Sequence, residues 1–146
     1  MSPIARPVLG PSERALRAPA LTLLLTLTPA SAALAGSNRG SVWIVANEPL
    51  WALLNFNAAI ALSPEPSFYF NRGIARERLG TRQRAMDDYT EAIRLGSDFA
   101  FAYHSRGVEL EQQGSRAEAT ADFEHALKTD PRLAPSRQAL QRLNPP

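Results

Sequence analysis

Cysteine is absent from the 146-residue sequence. That excludes disulfide frameworks, thiolate metal sites, CxxC redox chemistry, a cysteine nucleophile and a lipid-anchored N-terminal cysteine. Histidine occurs only at His104 and His125, too few for most histidine-built metal centres. No glycine-rich phosphate loop, GxSxG elbow or HExxH helix is present. Asp87 and Asp88 would point about 100° apart on a helix and make no shared-proton dyad. Glu109, Glu111, Glu118 and Glu124 read as solvated faces. No apolar run reaches the roughly 20 residues that a membrane-spanning helix needs. Nor is there an excess of one charge in the body of the chain. Residues 1–35 hold Arg6, Arg14 and Arg17 against Glu13, which leaves 13 basic and 13 acidic residues beyond them. A basic nucleic-acid face is therefore not expected. What is there is a chain 45% hydrophobic, enough for the packed core of one domain.

The first 35 residues have the order of a secretory signal. Basic residues come first, followed by the apolar run Ala18–Thr28, Pro29, and small residues ending in Ala33-Leu34-Ala35. Charged, apolar and A-x-A segments in that order are what a signal peptidase reads. Ala30-Ser31-Ala32 is a second cleavage point. The expected division is a signal peptide over 1–35 and one repeat domain over 36–146. The protein is then exported, periplasmic or secreted, with no membrane span after cleavage.

The body is periodic. Residues 66–99 and 100–133 align at an offset of 34 with nine identities, among them Arg72/Arg106, Gly73/Gly107, Gly80/Gly114, Ala85/Ala119, Asp88/Asp122 and Ala92/Ala126. Chance pairing at average usage would give about two. The frame extends upstream at an offset of 33, where Asn38-Arg39-Gly40 matches Asn71-Arg72-Gly73 and Ala52, Phe56 and Ala59 match Ala85, Tyr89 and Ala92. This first copy, about 36–65, is degenerate: Asn47 stands where the others have a turn glycine.

Each copy reads as an antiparallel helix pair. Tyr69, Gly73 and Arg76 share one stripe, Gly80 closes the first helix, and Ala85, Tyr89, Ala92 and Ile93 line one face of the second. A glycine inside a helix costs about 1 kcal/mol relative to alanine, so its recurrence at 73 and 107 implies close helix approach. The expected partners are Ala85 and Ala92, or Ala119 and Ala126, with Tyr89 and Phe123 filling space between neighbouring copies. The segment 134–144 carries Leu140 and Leu143 on one face and reads as a capping helix.

These columns resemble the tetratricopeptide repeat (TPR). Its aromatic opening column corresponds to Tyr69 and Tyr103, its small column to Gly40, Gly73 and Gly107, and its A-x3-F element to Ala52/Phe56, Ala85/Tyr89 and Ala119/Phe123. One departure is consistent: Arg39, Arg72 and Arg106 replace the family's leucine. The resemblance covers about residues 37–133. It implies an all-α, right-handed α-solenoid of about three helix hairpins, the first degenerate, plus the C-terminal capping helix.

It also implies a concave groove, lined by the first helices, that takes a partner peptide or protein. The groove positions are Phe70, Asn71, Ile74, Glu77 and Arg78 of one copy and Phe101, His104, Ser105, Val108 and Glu111 of the next. Some members of the family grip a terminal carboxylate with Asn and basic residues. Here Asn71 is in place, but Phe101 and Val108 occupy the accompanying basic positions, so the carboxylate would lack its charge-assisted donors. Phe70, Ile74, Phe101 and Val108 instead favour an apolar or aromatic segment. Arg72/Asp88 and Arg106/Asp122 are expected to bridge the two helices of a copy, although Asn55 replaces the acid beside Arg39. No metal or cofactor is expected, and no catalysis. A hydrolase using His104 and Glu111 is the remote alternative. A self-associating subunit is the nearer one, because Trp43, Ile44, Val45, Leu50 and Trp51 form an apolar cluster in the first copy through which a homodimer could form.

Overall fold

A computed structural model describes residues 29–96 and 98–144 of the chain. Among these residues there are seven helices and no strands: α1 (Pro29–Val45), α2 (Pro49–Leu62), α3 (Pro66–Arg78), α4 (Arg82–Leu95), α5 (Ala100–Gln112), α6 (Arg116–Thr129) and α7 (Ala134–Leu143). The architecture is an all-α helical repeat of three hairpins, α1–α2, α3–α4 and α5–α6, closed by α7. The charged and apolar parts of the expected signal, residues 1–28, lie outside the described residues. The expected cleavage point after Ala35 falls inside α1. Ala33, two residues earlier, is 1% exposed and packs with Ala52, Phe56, Ala59, Phe68 and Ala75.

The three hairpin turns are built alike. Gly80 and Gly114 take φ of 75° and 83°, and Asn47 takes φ of 58°. In each, the left-handed residue's N–H bonds the carbonyl three residues back and the next N–H bonds the carbonyl five back: Asn47 to Ile44 and Glu48 to Trp43, Gly80 to Glu77 and Thr81 to Arg76, Gly114 to Glu111 and Ser115 to Leu110. This pattern satisfies carbonyls that the helix end leaves without partners. Asparagine is among the few side chains that enter the left-handed region readily, so the degenerate copy makes the same turn with Asn47. The first copy therefore folds as a full helix pair. The second helices stop alike too: the N–H groups of Ser63, Gly96 and Asp130 bond the carbonyls of Ala59, Ala92 and Ala126 from extended backbone.

Within each hairpin the tightest contact is between a ring and a glycine. A Cβ added to Gly40 would lie 2.7 Å from the Phe56 ring, one on Gly73 2.5 Å from Tyr89, and one on Gly107 2.8 Å from Phe123. All three rings are fully buried. This corrects the sequence reading, which matched the glycines to alanines and put the aromatics between copies. The rings lie across the first helix of their own copy, in the space a side chain there would fill. The alanines of the A-x3-F column are also fully buried and keep the second helix close enough for the ring to reach.

An Arg–Asp bridge recurs beside this contact. Arg72 donates to both carboxylate oxygens of Asp88, at 3.0 and 2.6 Å, and Arg106 does the same to Asp122 at 2.8 and 2.8 Å. Asp88 and Asp122 are both buried. The remaining guanidinium nitrogen reaches the preceding copy, to Asn57 Oδ1 at 2.9 Å from Arg72 and to Thr90 Oγ1 at 3.3 Å from Arg106. The guanidinium also sits over the opening aromatic, Tyr69 at 5.2 Å and Tyr103 at 5.8 Å. One side chain thus ties three helices. Arg39 is exposed and has neither neighbour among the described residues, while Asn55 bonds the Trp51 carbonyl of its own helix.

Replacing Gly73 with alanine in the full chain should lower unfolding stability by about 1–3 kcal/mol, because the new methyl overlaps the Tyr89 ring. In a Tyr89→Leu background the same change should be neutral or stabilising, as helix propensity alone would have it. Urea unfolding of the four variants measures this. A stabilising Gly73→Ala in the otherwise unchanged protein would show that no ring occupies that space.

Candidate functional site

The groove positions lie on α3 and α5, and none of the ten is fully buried. Phe70 is the hub of an aromatic patch. Its ring meets Phe99 edge-on at 5.0 Å, Tyr89 at 5.8 Å and Phe101 at 6.4 Å. Offset and edge-to-face pairs at such distances are favourable beyond the area they bury. Phe101 is nevertheless 51% exposed. Asn71, next to Phe70, and Ile74, one turn on, are half-buried on α3. Val108 is half-buried and packs into the core of the third copy with Leu110, Ala119 and Phe123.

Five of the six polar groove positions have partners inside the molecule. Arg78 donates to the Ile44 carbonyl of the first copy. Glu77 accepts from the Tyr89 hydroxyl at 2.8 Å, and Ser105 bonds the same hydroxyl. Burial, and then the Glu77 carboxylate, push the Tyr89 phenol well above its ordinary range, so it remains a neutral donor. His104 Nδ1 pairs with Ser136 Oγ of α7 at 2.9 Å, and its ring lies against Phe123. Burial lowers its pKa. Glu111 receives a two-pronged bond from Arg142 of α7, at 3.0 and 2.6 Å, which holds its carboxyl below the usual range.

The last helix therefore takes up two residues that the sequence places in the groove. The same contacts bear on the hydrolase reading. His104 faces a serine that is 0% exposed, and Glu111 is turned to an arginine. Among the described residues no group of three His, Asp or Glu side chains could hold a metal ion. What stays open is mainly apolar: Phe101, the edge of Phe70, and Ile74, with Asn71 beside them.

Glu109 is the residue that pattern reading missed. It was read as a solvated acid, yet it is 1% exposed. Its Oε2 has no hydrogen-bond partner, and the nearest cation, Arg82 of α4, is 4.0 Å away. Burial raises its pKa, the field of Glu77 adds to the rise, and Arg82 offsets part of it. The signal was available: the matching position of the second copy is the fully buried Ala75. The column of Ala75 and Glu109 is buried whichever of the two residues stands in it.

The tetratricopeptide repeat family model matches residues 102–133. Human Tetratricopeptide repeat protein 6 is 34% identical over 98 residues, which are 67% of this chain; the chain spans 19% of that protein's length. The Arabidopsis OM64 TPR domain aligns with a TM-score of 0.75 at 28% identity, covering 80% of this chain and 97% of that one. The second TPR domain of human RPAP3, in complex with the HSP70 peptide SGPTIEEVD, aligns with a TM-score of 0.73 at 24% identity, covering 79% and 97%. Sequence and fold alike support a tetratricopeptide-repeat protein.

Glu109 generates a pH prediction. Its folded-state pKa is raised, so its contribution to stability is present below the unfolded value and is lost as pH rises through the folded one. Glu109→Gln should therefore stabilise the protein at pH 7, by about 1 kcal/mol. The gain should shrink as pH falls into the acid range. Urea midpoints of the two proteins at pH 4 and 7 test this; a variant less stable at pH 7 would mean that the carboxylate is paired after all.

Proposed function

We propose that the chain is a non-enzymatic interaction module that holds a partner polypeptide segment along its first helices. The observation that carries this reading is the half-exposed Phe101 beside Phe70, with Ile74 one turn away and most of the polar neighbours bonded within the molecule. Aromatic side chains held by their surroundings lose little entropy on binding and tend to dominate interface energetics. The RPAP3 domains bound to SRMEEVD and SGPTIEEVD are a precedent for peptides on this fold. Those peptides end in acidic tails, whereas here Glu77 and Glu111 supply acidic side chains on the groove helices and Phe101 and Val108 fill the basic positions. The segment favoured is therefore apolar or aromatic, and not acidic.

The expected leader makes the protein exported, periplasmic or secreted. Of its two cleavage points, the one after Ala32 leaves Ala33 in the core of the first copy, whereas the one after Ala35 removes it. Mass spectrometry of the exported form should find Ala33 as the first residue. A form beginning at Gly36 would show that the first copy folds without Ala33, and an intact N-terminus would remove the leader reading.

The groove is tested with a displayed library of random peptides panned on the purified full chain. Selected peptides should share an aromatic or large aliphatic residue and should lose at least tenfold in affinity to Phe70→Ala and Phe101→Ala. Selection of acidic C-terminal tails, or binding unchanged by both variants, would contradict the reading.

A further inference from the structure

Seven of the eight large apolar side chains exposed among the described residues lie on α1 and α2. α2 carries no charged residue at all. Where it has Leu50, Trp51, Leu54 and Ala61, α4 has Gln83, Arg84, Asp87 and Arg94 at the same register. The repeat shows which way these residues face. In the third copy Arg106, Glu118, Ala121, Asp122 and His125 line one cavity with Met86 and Thr90 of the preceding copy. Two periods earlier those positions are Arg39, Trp51, Leu54, Asn55 and Ala58. Val42 likewise matches Ala75 and Glu109, which the preceding copy buries completely, yet Val42 is 63% exposed. The outer face of α1 and α2 is thus shaped as a contact between copies, with no preceding copy to cover it among the described residues. Trp43 and Ile44, which the sequence grouped with this cluster, pack into the core of the first copy instead.

The opposite end indicates the occupant. There α7 closes the solenoid and turns Arg137, Gln138 and Gln141 outward. A head-to-tail contact would press an apolar face onto this polar helix, and such contacts build open fibres unless the rotation closes. Face to face, the apolar surfaces match and the assembly ends at two chains. One charge sits on the face, Arg39, without the Asp that its counterparts have. Those counterparts each spend a nitrogen on a side-chain oxygen of the adjoining copy. Asn55 offers such an oxygen, because its Nδ2 is the atom bound to the Trp51 carbonyl.

We propose that this face is a homodimer interface: the α1–α2 faces of two copies of this chain meet about a twofold axis, burying Val42, Trp51 and Leu54, with Arg39 of each chain bonded to Asn55 of the partner subunit. The interface is separate from the groove, so the two readings stand or fall independently.

Sedimentation velocity of the full chain between 1 and 100 µM tests the proposal. A dimer is expected, and a strict monomer at the top concentration overturns it. Leu54→Glu should raise the dissociation constant at least tenfold with unchanged helical circular dichroism, since Leu54 is 57% exposed and its loss does not threaten the fold. A dimer unaffected by Leu54→Glu overturns the proposal. So does a dimer dissolved by a Leu24→Glu/Leu25→Glu variant and not by Leu54→Glu, which would assign the contact to residues 18–28. Phe101→Ala, a groove variant, should leave the dimer intact.

Discussion

The structure depends on the contact between a buried ring and a glycine backbone. Phe56, Tyr89 and Phe123 each lie where a side chain on Gly40, Gly73 or Gly107 would have to be. A helix interior gives up stability for each such glycine. The return is that two helices in each copy approach closely enough to exclude water, with a full aromatic side chain buried between them. Copies built this way have matching outlines and stack. Arg72 and Arg106 fix the stacking, since each binds the Asp of its own copy and a side-chain oxygen of the copy before. A buried pair of this kind adds little over a well-packed apolar one, but removing one partner leaves a stranded charge. It therefore acts mainly to fix how neighbouring copies sit against each other.

The end copies show what happens when that pattern stops. At the C-terminal end α7 supplies Ser136 and Arg142 to His104 and Glu111, and buries Ala139 and Leu143 against the last hairpin. At the other end, among the described residues, Arg39 has neither an Asp nor a preceding copy beside it, and Val42, Trp51 and Leu54 stay exposed. One terminus is finished as a surface, and the other has the chemistry of an interior. Between them the first helices carry a patch in which aromatic side chains are held by one another while most of the polar side chains are turned to partners within the chain. The proposed binding of an apolar segment rests on that combination.

Most of the fold was legible because the repeat tests every reading two or three times. The turn glycines, the small column and the Arg–Asp bridge all appear in the structure where the period puts them. Asn47 looked like a defect in the sequence, yet it adopts the left-handed conformation of Gly80 and Gly114, because Asn tolerates it. The target of the glycines was misassigned. Spacing says that two helices approach closely but not which side chain crosses between them. The groove was less legible than the fold. His104 and Glu111 occupy groove columns, but a helix about 30 residues later in the chain engages them, and no periodicity reports a contact made by a non-repeating segment. Glu109 was missed for the reverse reason: residue type suggested solvent, and the column, occupied by Ala75 one copy earlier, indicated burial.

The account rests on rings lying against glycine backbone in all three hairpins, and nuclear Overhauser spectroscopy of the isotope-labelled protein tests this most directly. The account predicts strong cross-peaks from the ring protons of Phe56, Tyr89 and Phe123 to the Hα protons of Gly40, Gly73 and Gly107, each within its own copy. Cross-peaks from those rings to a neighbouring copy in place of the glycines, or their absence in an otherwise well-dispersed spectrum, would contradict it.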